Sequence, residues 1–285
     1  MTLGAATPTR HSAATSIVEG EVGSASPGDR GRRRAKGVTF RDLADVAAMQ
    51  ALEPGRRAVV IGGGLLGLEA ASGLARRGIR VDLVHLMDRP MERQLDARGG
   101  ALVASAMRRL GITLHLDART LAIEGTARAD ALRLADGTVL PADLVVVAIG
   151  VRPNADLAHT AGLAVGRGIL VDDRLESSVP GIHAIGECAE HRGQAYGLVE
   201  PAYAQAEVLA RRLAGAGDLY EGTPLATTLK VSGVAVVSAG RVVEEGGDTI
   251  VLSDPAAGIY RKLVVEDGRL VGALLVGDAT HGRRY

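Results

Sequence analysis

An α/β fold built on a buried parallel sheet is what this 285-residue chain predicts, and three observations carry the expectation. The apolar run Ala58-Val59-Val60-Ile61 feeds straight into Gly62-Gly63-Gly64-Leu65-Leu66-Gly67, and an Ala/Leu-rich helix follows. Leu144-Val145-Val146-Val147-Ala148-Ile149 is apolar throughout, as a strand covered on both faces is. Strand and helix patterns alternate between the two runs, which is the signature of a parallel sheet. Together they predict a Rossmann-like, three-layer fold. From about residue 219 the chain reads mainly as strands, so a small C-terminal α+β domain is expected to follow it.

The glycines have a specific chemistry. Gly62, Gly64 and Gly67 fit the G-x-G-x-x-G dinucleotide fingerprint in its strand–turn–helix setting. Gly62 makes the tight turn, Gly64 lets backbone approach a pyrophosphate, and Gly67 lets the helix pack close to the strand. The helix opening at Leu65 and Leu66 offers free N–H groups and a partial positive charge to phosphates. The competing reading is a glycine-rich turn in another kind of α/β unit.

Composition narrows the classes. Hydrophobic residues make up 47% of the chain, enough for a sizeable core, but aromatics are only 2%. The core must come from Val, Leu, Ile and Ala, and stacking platforms for single-stranded nucleic acid are scarce. Lys plus Arg and Asp plus Glu each number 33, so no global charge favours nucleic acid or an anionic membrane. Cys188 is the only cysteine, which rules out an intrachain disulfide and a CxxC pair and fits a reducing compartment. No apolar run reaches transmembrane length, and the N-terminal stretch has no signal-peptide core. A cytoplasmic location is expected.

The elements follow in order. Residues 1–37 are rich in Ser, Thr, Ala, Gly and Arg and read as a disordered or unrelated tail. Residues 38–54 form a linker with a short amphipathic helix at 41–49. Residues 55–153 hold the fingerprint, a second strand at 80–86, a helix at 97–110 closed by Gly111, and a third strand at 112–116. Residues 131–134 and 138–140 flank Ala135-Asp136-Gly137, a hairpin signal within a β-meander crossover. Residues 154–218 read as strands at 168–172 and 182–186 and a helix at about 199–213. Residues 219–285 form the strand-rich last domain, whose clearest hairpin joins 261–265 to 270–276.

In this order the motifs resemble the FAD- and NAD(P)-dependent pyridine nucleotide oxidoreductases. The match is carried by the fingerprint, by Ala148-Ile149-Gly150-Val151-Arg152-Pro153-Asn154, by residues 169–187 and by the last domain. Three stretches are similar to the reductase section of the assimilatory NAD(P)H nitrite reductase large subunit. They are Val84-His85-Leu86-Met87 with Met91-Glu92-Arg93-Gln94-Leu95-Asp96, then residues 186–193, then Leu229-Lys230-Val231-Ser232-Gly233. The resemblance implies FAD and NAD(P)H as cofactors and an oxidoreductase in which a reduced nicotinamide gives hydride to flavin, electrons then passing to an acceptor protein or module. The flavin carries the chemistry, so no catalytic side chain is expected.

The site residues that the resemblance implies are Gly62, Gly64, Leu65, Leu66 and Gly67 for the coenzyme diphosphate. Glu69 lies near the nicotinamide carboxamide, unless it is an ordinary exposed helix glutamate. Gly150 lets backbone approach the nicotinamide nucleotide, unless it is a plain strand exit. Gly186 and Glu187 match the second FAD motif, with Glu187 accepting from the ribityl chain. His85, His115, His183 and His191 lack metal-ligand spacing, and no metal site is expected.

NAD-specific folds place Asp or Glu about 20 residues beyond the glycines. Here His85 stands at the strand end with Asp88 and Arg89 just after it, which leaves NADH and NADPH equally open. The family also opens with an FAD fingerprint of its own, and none precedes Gly62, so only the second half of an FAD domain is expected. With one cysteine, the chain is not expected to hold an iron–sulfur cluster or to reduce nitrite alone. The alternatives are a rubredoxin- or ferredoxin-reductase-like enzyme, or a coenzyme-binding fragment without catalysis. No nucleic acid or membrane partner is expected, and a homodimer through the last domain is the assembly left open.

Overall fold

The computed structural model describes residues 37–125, 128–231, 233–242 and 247–279. The tail predicted over residues 1–37 therefore lies outside the described residues except for Gly37. The chain divides into two units: residues 37–150 with 225–279, and residues 151–224.

The larger unit opens with β1 (Val38–Thr39) and α1 (Leu43–Gln50). Asp42 caps α1, accepting from the Asp45 N–H, while the Asp45 carboxylate accepts from the Asp42 N–H, a reciprocal capping box. Next come β2 (Arg57–Ile61), α2 (Leu65–Arg76), β3 (Arg80–Val84), α3 (Ala97–Arg109) and β4 (Thr113–His115). A meander of β5 (Thr120–Gly125), β6 (Ala129–Leu134) and β7 (Val139–Pro141) leads to β8 (Leu144–Val147). The central sheet has the order β1-β8-β2-β3-β4, and every pairing in it is parallel.

The strand alternation sorts the layers. Ala58 and Val60 of β2 point to one face, where they join Leu68, Leu74, Val103 and Met107 from α2 and α3. Val59 and Ile61 point to the other, where they join Leu132, Leu134 and Leu140 of the meander. The result is the predicted three-layer, Rossmann-like arrangement of helices, parallel sheet and meander. Fully burying each such side chain stabilises the fold by roughly 1.5–3 kcal/mol relative to exposure.

In the smaller unit α4 (Asp156–Thr160) precedes β9 (Ile169–Val171). β10 (Ala189–His191), β11 (Gln194–Ala195) and α5 (Val199–Leu213) complete it. Its sheet runs β11-β10-β9. Leu175, Tyr196 and Tyr220 form its core, with Val208 and Leu209 of α5 against them.

The strand expected at 182–186 does not form. Ile185 is extended, but His183 makes only an isolated bridge to Glu176, and the chain turns at Gly186 into a 3₁₀ turn, Gly186–Cys188. Residues 175–177 hydrogen-bond to this run, with Ser177 N–H to Ile182 O at 2.8 Å and Ala184 N–H to Leu175 O at 3.2 Å, but the pairing stops at that one bridge and no longer ladder forms.

The chain then returns to the larger unit as β12 (Ala226–Val231), β13 (Val234–Gly240), β14 (Asp248–Asp254), β15 (Ile259–Glu266) and β16 (Arg269–Gly277). They form one antiparallel sheet of order β12-β13-β16-β15-β14. Among the described residues these strands carry no helix of their own. The α+β character comes from α2 and α3, whose apolar residues share one core with Leu229, Val236, Tyr260, Leu274 and Val276.

Candidate functional site

The carboxyl ends of β2, β3 and β8 meet at the glycine turn, the place where open α/β sheets take their ligands. Gly62 has φ +114°, and its N–H donates to Val84 O at 2.8 Å. A Cβ there would stand 2.2 Å from Ala148 O, so the turn and the exit of β8 tolerate only glycine. A Cβ on Gly67 would meet Gly62 O at 1.9 Å, which is how α2 lies so close to its strand.

Gly64 differs from both. Its backbone is ordinary extended chain (φ −78°, ψ −175°), and nothing in the protein lies within 4 Å of where its Cβ would be. The fold itself makes no demand for glycine at this position. The open space faces the start of α2, and no side chain caps that helix. The first N–H groups of the helix, at Leu65, Leu66 and Gly67, have no intrahelical acceptor and carry its positive dipole end. An uncapped helix start beside a glycine with room around it has the donors and the space that a diphosphate would need.

The other predicted positions divide between the units. Glu69 is exposed on α2, and Gly150 is exposed with φ +121° and open space around it. Both belong to the unit that holds the fingerprint. Gly186 and Glu187 belong to the smaller unit, in the 3₁₀ turn. Gly186 has φ +84°, its N–H donates to Gln205 Oε1 of α5 at 2.7 Å, and only Ala202 comes within 4 Å of a Cβ there. Glu187 is half-buried.

Cys188 is half-buried, and its thiol donates to Ile185 O. Burial pushes that thiol up and the Glu187 carboxylate adds to the shift, so it is no nucleophile near neutral pH. His191 is buried, with Nε2 at 2.8 Å from Asp173 Oδ1 and its ring 4.8 Å from that of Tyr220. Its role is structural.

One feature of the site is not visible in the motif. Gly63, the middle glycine, donates its N–H to His85 Nδ1 at 3.0 Å, and a Cβ on Gly63 would strike the His85 ring at 2.7 Å. Nδ1 accepts, so Nε2 carries the ring proton and donates to Glu92 Oε2 at 3.0 Å. Met91 N–H donates back to Gly63 O at 2.9 Å. The loop after β3 is thereby fastened to the fingerprint at both ends of one residue. The signal in the sequence was a third consecutive glycine that the G-x-G-x-x-G pattern does not require.

No group of three or more metal-ligating side chains occurs among the described residues, and no described helix is long and apolar enough to cross a membrane.

A three-layer α/β unit with this turn is a dinucleotide-binding protein. Residues 19–206 match the pyridine nucleotide-disulphide oxidoreductases, and residues 226–285 match the rubredoxin NAD+ reductase C-terminal domain. The chain belongs to the pyridine nucleotide-disulphide oxidoreductase family, whose cofactors are FAD and NAD(P)H. It is 49% identical to an NAD(P)H nitrite reductase of Bacillus subtilis, over 87% of this chain and 31% of that protein. It is 42% identical to an assimilatory nitrate reductase electron transfer subunit of the same organism, over 87% of this chain and 33% of that one. The chain thus spans about a third of the length of these relatives. Among solved structures, a ferredoxin reductase of Rhodopseudomonas palustris is similar at a TM-score of 0.77 and 29% identity. That match covers 86% of this chain and 62% of that one.

Proposed function

We propose that this chain is the nicotinamide-binding part of a flavoprotein oxidoreductase that takes hydride from NAD(P)H and sends electrons on to an acceptor protein or module, as in the nitrite reductase large subunit. The observation that carries the reading is the contrast among the three fingerprint glycines. Gly62 and Gly67 are required by the protein's own packing, whereas Gly64 faces open space beside an uncapped helix start. That space fits a diphosphate, with the N–H groups of Leu65, Leu66 and Gly67 as donors.

In this reading Glu69 and Gly150 border the nicotinamide end. Gly186 and Glu187 take part of the FAD, Glu187 accepting from a sugar-chain hydroxyl. The positive φ of Gly186 and the room around it suit a close backbone approach. FAD, when bound, supplies the step from a two-electron hydride donor to onward electron transfer. The chain's own residues bind and orient; none donates or removes a proton.

The resemblance of residues 226–285 to the rubredoxin NAD+ reductase C-terminal domain supports a second reading, in which the acceptor is a small electron-transfer protein such as rubredoxin or ferredoxin. A homodimer and a cytoplasmic location are parts of the same proposal, the latter consistent with a single unpaired cysteine.

The test is one absorbance spectrum of the purified chain, alone and with added FAD, followed by anaerobic addition of NADH or NADPH. Flavin absorbance that bleaches on coenzyme addition is the expected result. A protein that binds nicotinamide coenzyme but neither retains FAD nor bleaches it would limit the function to coenzyme binding. A folded protein that binds neither would end the reading.

A further inference from the structure

The structure assigns this chain a preference for NADH over NADPH, read by Glu92 at the adenosine ribose, an inference that rests on the dinucleotide reading above. In NAD-binding folds of this class a carboxylate at the end of the second strand holds the ribose 2′-hydroxyl, and an arginine in its place accepts a 2′-phosphate. Here the strand-end residue is His85, and it is not free to do either. Its Nδ1 is taken by the Gly63 N–H and its Nε2–H by Glu92.

What His85 does is hold a carboxylate at that corner. Met91 is buried in the left-handed region (φ +52°), a conformation that costs a non-glycine residue on the order of 1 kcal/mol. Its N–H is fixed to Gly63 O, so Glu92 leaves the loop next to the glycine turn, where the His85 ring proton fixes Oε2. The Glu92 side chain remains 24% exposed, and a carboxylate has acceptor sites beyond the one that His85 uses. Glu92 thus takes the place of the missing strand-end acid, moved seven residues along the chain and oriented through a histidine.

The cations of the loop do not favour a phosphate. The Arg89 guanidinium is already engaged: Nη1 donates to both Asp88 oxygens at 2.8 and 3.0 Å, and Nε donates to Leu95 O at 3.1 Å. Arg93 is 83% exposed, and its Nε lies 4.0 Å from Glu92 Oε1, a solvated pairing of little strength. A 2′-phosphate entering this corner would meet the Glu92 carboxylate, while the Arg89 guanidinium is already paired with Asp88. A 2′-hydroxyl would meet an oriented acceptor.

The experiment is calorimetric titration of the full chain with NADH and with NADPH, alongside Glu92→Gln and Arg93→Ala. The wild type should bind NADH at least about tenfold more tightly, the scale of one charge-assisted hydrogen bond. Glu92→Gln keeps an acceptor for His85 Nε2 and should leave the melting temperature unchanged while cutting that ratio several-fold. Arg93→Ala should leave the ratio in place. Equal or tighter binding of NADPH by the wild type, an unchanged ratio in Glu92→Gln, or loss of NADPH binding confined to Arg93→Ala would each overturn the inference and leave coenzyme binding standing. Absence of heat with both coenzymes would overturn the dinucleotide reading itself.

Discussion

Gly64 and Gly67 lie three residues apart and are glycine for opposite reasons, which makes them separable by substitution. Gly67→Ala would drive a methyl into Gly62 O, 1.9 Å from where its Cβ falls. Relieving that clash means shifting α2 off its strand, at about 1–3 kcal/mol as for other overpacked cores. Gly64→Val places its side chain in open space on a backbone any residue adopts, so its stability cost should stay near 1 kcal/mol, the loss of a tolerable N-cap. Thermal melts should therefore fall markedly for Gly67→Ala and little for Gly64→Val. Coenzyme titration should show the reverse, with at least about tenfold weaker binding for Gly64→Val. A Gly64→Val protein that melts normally and binds coenzyme as tightly as the wild type would contradict the cradle. The turn at Gly62 and the close packing at Gly67 were legible in the sequence because each is local: a strand, a turn and a helix start within ten residues. The role of Gly63 was not, because its partner His85 is 22 residues away.

At the scale of elements, α3 is held at its start by a residue that serves two structures. Asp96 caps the helix, with Oδ1 accepting from Gly99 N–H at 2.9 Å, and its other oxygen accepts from Tyr260 OH of β15 at 2.6 Å. Lys262 Nζ lies 3.7 Å from the same carboxylate. Burial raises the Tyr260 phenol well above its usual range and the Asp96 carboxylate adds to it, so the hydroxyl stays a donor across the working pH range. Asp96→Ala removes a cap worth about 1 kcal/mol and strands a buried hydroxyl at about 1–3 kcal/mol. Tyr260→Phe removes only the donor and should cost about 1 kcal/mol. Denaturant melts of the two single variants and the double variant should show coupling, the double falling short of the sum; strict additivity would mean the contact contributes nothing.

Periodicity found these two elements and the turn at Asp267 and Gly268, both at positive φ as a two-residue hairpin demands. It could not find their contact, which spans 164 residues. The 182–186 run shows the opposite failure: its composition reads as strand, but its pairing with residues 175–177 ends after one bridge.

For the molecule as a whole, each unit has its own source of cohesion, and in the smaller one a charge cluster stands beside the core. Its core of Leu175, Tyr196 and Tyr220 has Val171, Ile185, Val208 and Leu209 packed against it. Beside it Asp173 accepts from Arg192 at 2.9 and 2.8 Å and from His191 at 2.8 Å. The Arg192 guanidinium, with His191 second, holds the Asp173 carboxyl down at about 2, against 3.8 ordinarily. A carboxyl depressed in the folded state contributes stability that is fully present above its ordinary pKa. That contribution is lost as pH falls through the folded value. Residues 151–224 should therefore loosen between about pH 4 and pH 2, and Asp173→Asn should flatten that limb while lowering stability at neutral pH. Circular dichroism melts from pH 2 to 7 on both proteins check it; parallel acid limbs would refute it. The fold class, the fingerprint and the family were all readable from the chain, since they rest on patterns within single elements. The wiring of Asp173, Asp96 and His85 was not, since each joins segments that only folding brings together.

The contact between Gly63 and His85 also bears on how such chains can drift over time. A side chain at 63 collides with the ring at 85, and a different residue at 85 leaves the amide of 63 without its acceptor. The two positions form one unit of inheritance. In descendants that keep this loop they should change together or not at all, and a lineage that gains an acid at 85 in place of the ring is free to lose the extra glycine at 63.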